Sequence, residues 1–435
     1  MAKKSMVVLL VLAMAMLSGF SIVAAQDMEI VCPEGEATVS VAGGSVGGEL
    51  EQLQLAGEAF MAACPNVTVE VLQMPDSSTE RLNIYLQTWE AQSADIDVFQ
   101  VDVIWPAIIA PHVVDFNEYL TEEEIGMYFE DMINGQTVDG RLVAIPWFSD
   151  AAGLYVRSDL LEAYGVEVPT TWDELTEAAA LVQEAHRAAT GNEDFWGFVW
   201  QGNDYEGLTC DAHEWLVSET GETFISNDGV VNVTDERFLA ALDRAAGWVG
   251  TISPEGVTTY QEEEARGVFQ AGNAAFMRNW PYAYGLGNGD DSAVAGLFDW
   301  VPLPAGETRV GACLGGWQLA VSQYSDNVEA AVAVAKFMAG PEQQKARALS
   351  AQGNPPTIPS IYEDEEIAAN DLMSRLGPIL GTAYARPSVA TGERYSEASA
   401  LFSGAVHSVL TGQADAATAM ADLETQLEDL LASME

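Results

Sequence analysis

Between Ala37 and Asp102 the apolar residues change their spacing several times, and this restricts the fold more than any other feature of the chain. "ATVSVAGG" alternates with a period of two and ends in glycines, as a strand entering a loop does. "ELEQLQLAGEAFMAAC" then carries its apolar residues at helical spacing, and "NVTVEVLQM" returns to strand alternation. "ERLNIYLQTWEAQ" is helical again, and "IDVFQVDVIW" is an apolar strand interrupted by Asp102. Strands and helices in strict alternation predict an open, mostly parallel α/β sheet. Ligands of such sheets bind beyond the carboxyl ends of the strands, and Asp102 lies near one such end.

A chain of 435 residues exceeds what one hydrophobic core supports, so more than one domain is expected. A second segment begins near "LVAIPWFSDAAGLYVRSDLL". It continues into the helix "TTWDELTEAAALVQEAHRAA", where Thr171 is the expected N-cap and Glu174 completes a capping box. "FWGFVWQG" reads as an aromatic strand, "VEAAVAVAKFMAGPEQQKARAL" as one or two helices, and "ADAATAMADLETQLEDLLASM" as an amphipathic helix. The acidic polar face of this last helix argues for core packing over membrane binding. No long low-complexity linker separates these segments, which argues against independent tethered modules.

The first residues have the pattern of an export signal: Lys3 and Lys4, the apolar run "MVVLLVLAMAML", then small residues with cleavage expected near Ala25. The run is short for a membrane span. The chain is expected to be exported and periplasmic or associated with the cell surface. Its net charge is −49, or −51 once Lys3 and Lys4 leave with the leader. Repulsion on this scale opposes a compact state at low salt, and molar salt screens it. Such an acid-rich, lysine-poor composition resembles that of proteins from high-salt environments. No basic stripe exists to neutralise phosphates, so nucleic acid is excluded as an expected partner. Four cysteines, Cys32, Cys64, Cys210 and Cys313, are compatible with two disulfides in an exported chain. The favoured pairing is Cys32 with Cys64 and Cys210 with Cys313, on the expectation that each pair shares a domain; the alternative is buried free thiols.

Motifs for chemistry are sparse. His112, His186, His213 and His407 lie far apart and belong to no metal-binding or triad spacing, and no phosphate-binding glycine loop is present. No metal and no cofactor is expected. The chain instead holds an inventory suited to a neutral polyol. Sugars pack their C–H faces on aromatic rings, and their hydroxyls both donate and accept, so a sugar site needs flat rings edged by carboxylates and guanidinium groups. "DVFQVDVIWPA", "IPWFSDAAG", "RNWPYAYG", "CLGGWQLAVS" and "ARPSVATGERYSEAS" each place an aromatic, a carboxylate or an arginine beside glycine or proline. In "RNWPYAYG", proline stiffens the chain between Trp280 and Tyr282.

In this order, those segments resemble the family 1 extracellular solute-binding proteins of ABC sugar importers, and within them the trehalose/maltose-binding proteins. "FWGFVWQGNDYEGLTCD" and "FQAGNAAFMRNWPYAYGLGN" point to that branch, while "LGGWQLAVSQYSDN" and the late arginine segment recur more widely. The resemblance implies a binding protein without enzymatic activity, acting as a monomer with membrane permease subunits as partners. It implies hydroxyl contacts from Glu49, Arg81, Asp102 and Asp150, and stacking platforms at Trp280 and Tyr282. Gly315 and Gly316 would give the ligand close backbone approach, Trp317 would pack on a ring, and Arg386 would reach in from the second lobe. Phe148 stands where some relatives have tyrosine, which removes one hydroxyl. A glycoside hydrolase pairs carboxylates with aromatic subsites too, and a binder of a different solute is the nearer alternative.

The resemblance also implies a two-lobe periplasmic-binding-protein fold of type II, with an open α/β sheet in each lobe and a ligand cleft between them. The expected division is an N-lobe of residues 27–145 and 307–355 and a C-lobe of residues 146–306 and 356–435. Crossings are expected near Ile145 to Phe148, Pro304 to Val310 and Asn354 to Pro359.

Overall fold

The computed structural model describes residues 31–434, so the leader expected at residues 1–25 lies outside the described residues. The alternation read between Ala37 and Asp102 forms strand β1 (Ala37–Gly43), helix α1 (Glu49–Ala63), β2 (Val67–Gln73), helix α2 (Ser78–Glu90) and β3 (Val98–Asp102). β1 pairs in parallel with both β2 and β3, which requires crossover connections, here carried by α1 and α2. The short hairpin of β4 (Thr137–Val138) and β5 (Arg141–Leu142) precedes β6 (Ile145–Ala151) and β7 (Gly153–Val156). The remaining strands are β8 (Trp196–Val199), β9 (Ala274–Asn279), β10 (Asp299–Val301), β11 (Ala312–Val321) and β12 (Ala383–Tyr384).

The strands form two main sheets. In the first, the order runs β2, β1, β3, β11, and both β6 and β12 join the far edge of β11. β11 is antiparallel to β3 and to β6 and parallel to the short β12, so the sheet is mixed, and the segment read from the alternating spacing forms its β2–β1–β3 parallel part. The second sheet has the order β10, β7, β9, β8, with only β8 and β9 parallel. The departure from a mostly parallel sheet has one physical cause. β11 enters the first sheet from the second, so it arrives in the reverse direction. β6 runs in the first sheet through Ala151 and β7 starts in the second at Gly153, which puts this passage at Ala152, beyond the expected Ile145 to Phe148. The return lies between Val301 and Ala312. Residues 354–359 run beside β6, where the Ser149 amide donates to the Pro355 carbonyl at 3.0 Å.

The helices follow from local chemistry. The helix after Thr171, α3 (Trp172–Thr190), has the capping box in full: Thr171 Oγ1 accepts from the Glu174 amide, and Glu174 accepts from the Thr171 amide. It stops at Gly191, which takes the left-handed conformation that glycine adopts without strain. Helix α4 (Glu206–Thr220) is buried along nearly its whole length, polar residues included. Helices α5 (Glu262–Gln270) and α6 (Tyr282–Gly287) flank β9, and Pro281 starts α6, so the stiffened turn opens a short helix. Helix α7 (Val328–Ala339) ends at Gly340–Pro341, which splits the expected run into two helices. Helices α8 (Tyr395–Leu410) and α9 (Ala416–Ala432) pack on one another, and α9 buries Leu423, Leu427 and Leu430 as its amphipathic pattern requires.

Behind the second sheet, the indole of Trp248 touches those of Trp172, Trp200 and Trp215 at centroid distances of 6.1, 6.3 and 5.7 Å. Those rings are core, each at most 2% exposed. Cys32 and Cys64 form a disulfide that ties the start of the chain to the end of α1. The expected second disulfide is not formed. Cys210 and Cys313 are buried free thiols with sulfurs 2.8 Å apart, beyond the ~2.05 Å of an S–S bond. No helix among the described residues is long and apolar enough to cross a membrane.

Candidate functional site

The register of the first sheet assembles the floor of the site. β11 sets Trp317 opposite Asp102 and Gly315 opposite Asp150. A bulge between Trp317 and Gln318 turns this part of the strand. Gly315 and Gly316 are glycine for reasons the packing states. A Cβ on Gly315 would lie 3.0 Å from the Trp280 ring and 3.2 Å from Asp150 Cβ. One on Gly316, at φ +129°, would stand 2.6 Å from the Phe148 carbonyl oxygen.

Nine of the eleven expected residues line one cavity between the two sheets: Glu49, Asp102, Asp150, Trp280, Tyr282, Gly315, Gly316, Trp317 and Arg386. Arg81 and Phe148 do not. The Arg81 guanidinium is buried behind the wall, donating to the Pro75 and Asp76 carbonyls and lying 4.2 Å from the centre of the Trp317 ring. Phe148 packs on Trp147 in the core and is not part of the cavity lining. The cavity also takes in residues the motif reading passed over, chiefly Asp76, Glu206, Glu262, Gln352 and Asn354. Glu206 and Glu262 had a usable signal. Like Glu49, each is the first residue of its helix, where the helix dipole favours a carboxylate. Gln352 and Asn354 sit in a loop with no pattern to mark them.

The rings are held from behind. β9 ends at Asn279, and the Arg278 guanidinium lies 4.3 Å from the centre of the Trp280 indole. Arg278 is itself fixed by two hydrogen bonds to Glu214, at 3.0 and 2.5 Å, and one to Gln201 at 2.9 Å. Glu214 also accepts from the Cys313 amide of β11, so helix α4 links the Trp280 platform to the floor strand. Trp280 Nε1 donates to Glu262, and the Tyr282 hydroxyl donates to Glu263 at 2.7 Å. Arg386 bridges the sheets, donating to Asp102 at 3.1 Å, to Glu206 at 2.6 Å and to the Leu314 carbonyl. Tyr395 and Ser399 of α8 also donate to Glu206, each at 2.6 Å.

Burial dominates the electrostatics. It pushes the Glu49 carboxyl up to about 7, against the lowering effect of Arg81. Burial raises Asp102 too, opposed by Arg386. Asp150 is held well above the usual carboxylate range by burial and then by the charges of Glu49 and Asp102. Four atoms here have no hydrogen-bond partner within the protein: Glu49 Oε2, Asp150 Oδ1, Asn354 Oδ1 and Arg386 Nε. Such atoms are expensive to bury and are met by a ligand or by water.

The sheets stand close together. Arg386 bonds to Asp102, the Glu206 amide donates to Thr79 Oγ1 at 3.2 Å, and Tyr282 packs on Gly47. The enclosed space is about 70 Å³, against roughly 300–1,000 Å³ for an ordinary small-molecule site. This is a closed arrangement that must widen to admit a ligand larger than a few waters. Among the described residues, no three His, Cys, Asp or Glu side chains are placed to hold a metal ion.

A family profile described as "Bacterial extracellular solute-binding protein" matches residues 45–345. A "Probable ABC transporter-binding protein" of Deinococcus radiodurans is 41% identical over 393 residues, covering 90% of this chain and 93% of that protein. The maltose-bound MalE3 of T. maritima is similar at TM-score 0.85 and 39% identity, over 91% of this chain and 100% of that one. The GacH receptor of Streptomyces glaucescens, solved unliganded and in complex with acarbose, is similar at TM-score 0.80 and 25% identity, over 92% and 99% of the two chains. Having a family match across well over half its length and a relative aligned nearly end to end, the chain belongs to the bacterial extracellular solute-binding proteins and has their two-lobe α/β fold.

Proposed function

We propose that this protein captures a disaccharide such as trehalose or maltose in the cavity between its lobes and delivers it to the permease subunits of an ABC importer. The observation that carries the reading is the convergence of Trp280, Tyr282 and Trp317 with Asp102, Asp150 and Arg386 on one cavity. Rings supply faces for sugar C–H groups, and the charged groups at their edges bond hydroxyls. The likeness to maltose-bound MalE3 supports this substrate class. Binding without chemistry is enough for the role. One lobe takes the sugar first, and closure brings the other lobe's groups onto its remaining faces, driven by the ligand's greater affinity for the closed form.

In this reading the N-lobe is built on residues 27–151 and 307–355, the expected division with its first boundary moved from residue 145 to Ala152, and the C-lobe on the rest of the exported chain. The protein is exported and works as a monomer. Isothermal titration with trehalose, maltose, sucrose and glucose at molar salt tests the proposal. Saturable heat with a disaccharide is expected, and no heat with any of them would overturn it. Incubation with the bound disaccharide should release no monosaccharide; release would make the protein a hydrolase.

A further inference from the structure

The polar inventory of the cavity is one-sided. Glu49, Asp76, Asp102, Asp150, Glu206 and Glu262 line it, against the single guanidinium of Arg386. Arg386 is already engaged with Asp102, Glu206 and the Leu314 carbonyl, although its Nε has no partner. The two arginines behind the wall bear on these acids by charge only, Arg81 on Glu49 and Arg347 on Asp150; their hydrogen bonds go to the Pro75, Asp76 and Trp147 carbonyls. Glu49 Oε2 comes no nearer than 3.9 Å to Arg81.

Two acidic side chains therefore enter the cavity with an oxygen that accepts no hydrogen bond, Glu49 Oε2 and Asp150 Oδ1. Their residues are only 5% and 8% exposed, so solvent at the surface does not serve them. Glu49, Asp102 and Asp150 share the lining of one cavity of about 70 Å³, so a group that enters it faces all three. A sugar hydroxyl satisfies an acceptor but brings no charge. An ammonium group brings three donors and a positive charge that favours the ionised form of acids that burial holds towards the neutral one. Buried charges are screened far less by salt than surface ones, so the effect survives the molar salt this composition suits.

We infer that the cleft prefers a saccharide carrying a protonated amine to a neutral saccharide of the same size, with the ammonium seated between Glu49 and Asp150. The inference rests on the saccharide reading above and narrows its substrate class. It also implies rejection of uronic acids and sugar phosphates, whose charge has the wrong sign for this wall.

The test is isothermal titration of the full exported chain at molar salt, at a pH where the amine is protonated. The ligands are trehalose and maltose, their monoamino derivatives with the amine at C2 or C6, and the N-acetyl forms of those derivatives. At least one amine should bind about tenfold tighter than its neutral parent, and N-acetylation should erase the gain. Neutral disaccharides that bind with no amine tighter than its parent would overturn this inference and leave the proposed function standing. Amines that bind while neutral parents do not would uphold it and displace the neutral disaccharide as the substrate. No binding by any ligand would overturn both. Asp150→Asn and Glu49→Gln should each lower affinity for the amine more than for its parent. An unchanged ratio in both variants would remove these two residues as the seat. Because the ratio is read within one variant, a general loss of stability does not imitate it.

Discussion

The residues around the cleft do two kinds of work, and experiments can separate them. Trp280 presents a ring held in place by Arg278 on its other side, so truncation removes a preorganised contact surface. Trp280→Ala is expected to weaken disaccharide binding by about 1–3 kcal/mol in calorimetry, and unchanged affinity would take this ring out of the site. Glu49 has a folded-state pKa raised to about 7 from an ordinary value of 4.5, chiefly by burial. Its contribution to stability is therefore full below pH 4.5 and is lost as pH rises through 7. Across that window wild-type protein should lose up to roughly 3 kcal/mol relative to Glu49→Gln, measured by denaturant unfolding at fixed salt. Parallel pH profiles would show that the carboxylate is already compensated. The two buried thiols give a further check. Unfolded under non-reducing conditions, the protein should yield the two thiols of Cys210 and Cys313, and a yield of none would establish a second disulfide.

The elements show how far pattern reading reaches. Helix α3 was legible to its cap, because Thr171 and Glu174 are three residues apart and their chemistry is local. Thr171→Ala should cost about 1 kcal/mol in denaturant unfolding, and no loss would mean that packing alone fixes the start of that helix. The strands β1, β2 and β3 were legible for the same reason. β11 was not placed by any local signal. It pairs with β3 across more than two hundred residues, and its direction depends on the route of the chain through the second sheet. The cleft divides along the same line. Trp280, Tyr282 and the two glycines sit in short motifs with distinctive composition. Glu262 opens a run of three glutamates that marks the start of a helix, but only the fold shows that the first of the three lines the cavity. Arg81 and Phe148 were expected in the cavity because their positions matched. Position along the chain does not say which side of a wall a side chain occupies.

The whole molecule carries a net charge of −49 spread over two lobes that have to approach one another. Salt should act on it in a definite direction. Repulsion among exposed acids opposes folding at low ionic strength and fades as the Debye length shrinks to about 3 Å near 1 M salt. The melting temperature by calorimetry should therefore rise from 0.1 M (about a 10 Å Debye length) to molar potassium chloride. A flat or falling melting temperature would show that the acids are balanced within the fold.

β11 is at once a structural beam and part of the proposed binding surface. It pairs with β3 and β6, reaches β12, and presents Gly315, Gly316 and Trp317 to the cavity. An altered residue there would disturb the pairing of the first sheet as well as the cavity wall, so selection for a new cargo has little room on this strand. Laboratory evolution of this scaffold toward other ligands should find its productive changes on the opposite wall, around the starts of α4, α5 and α6.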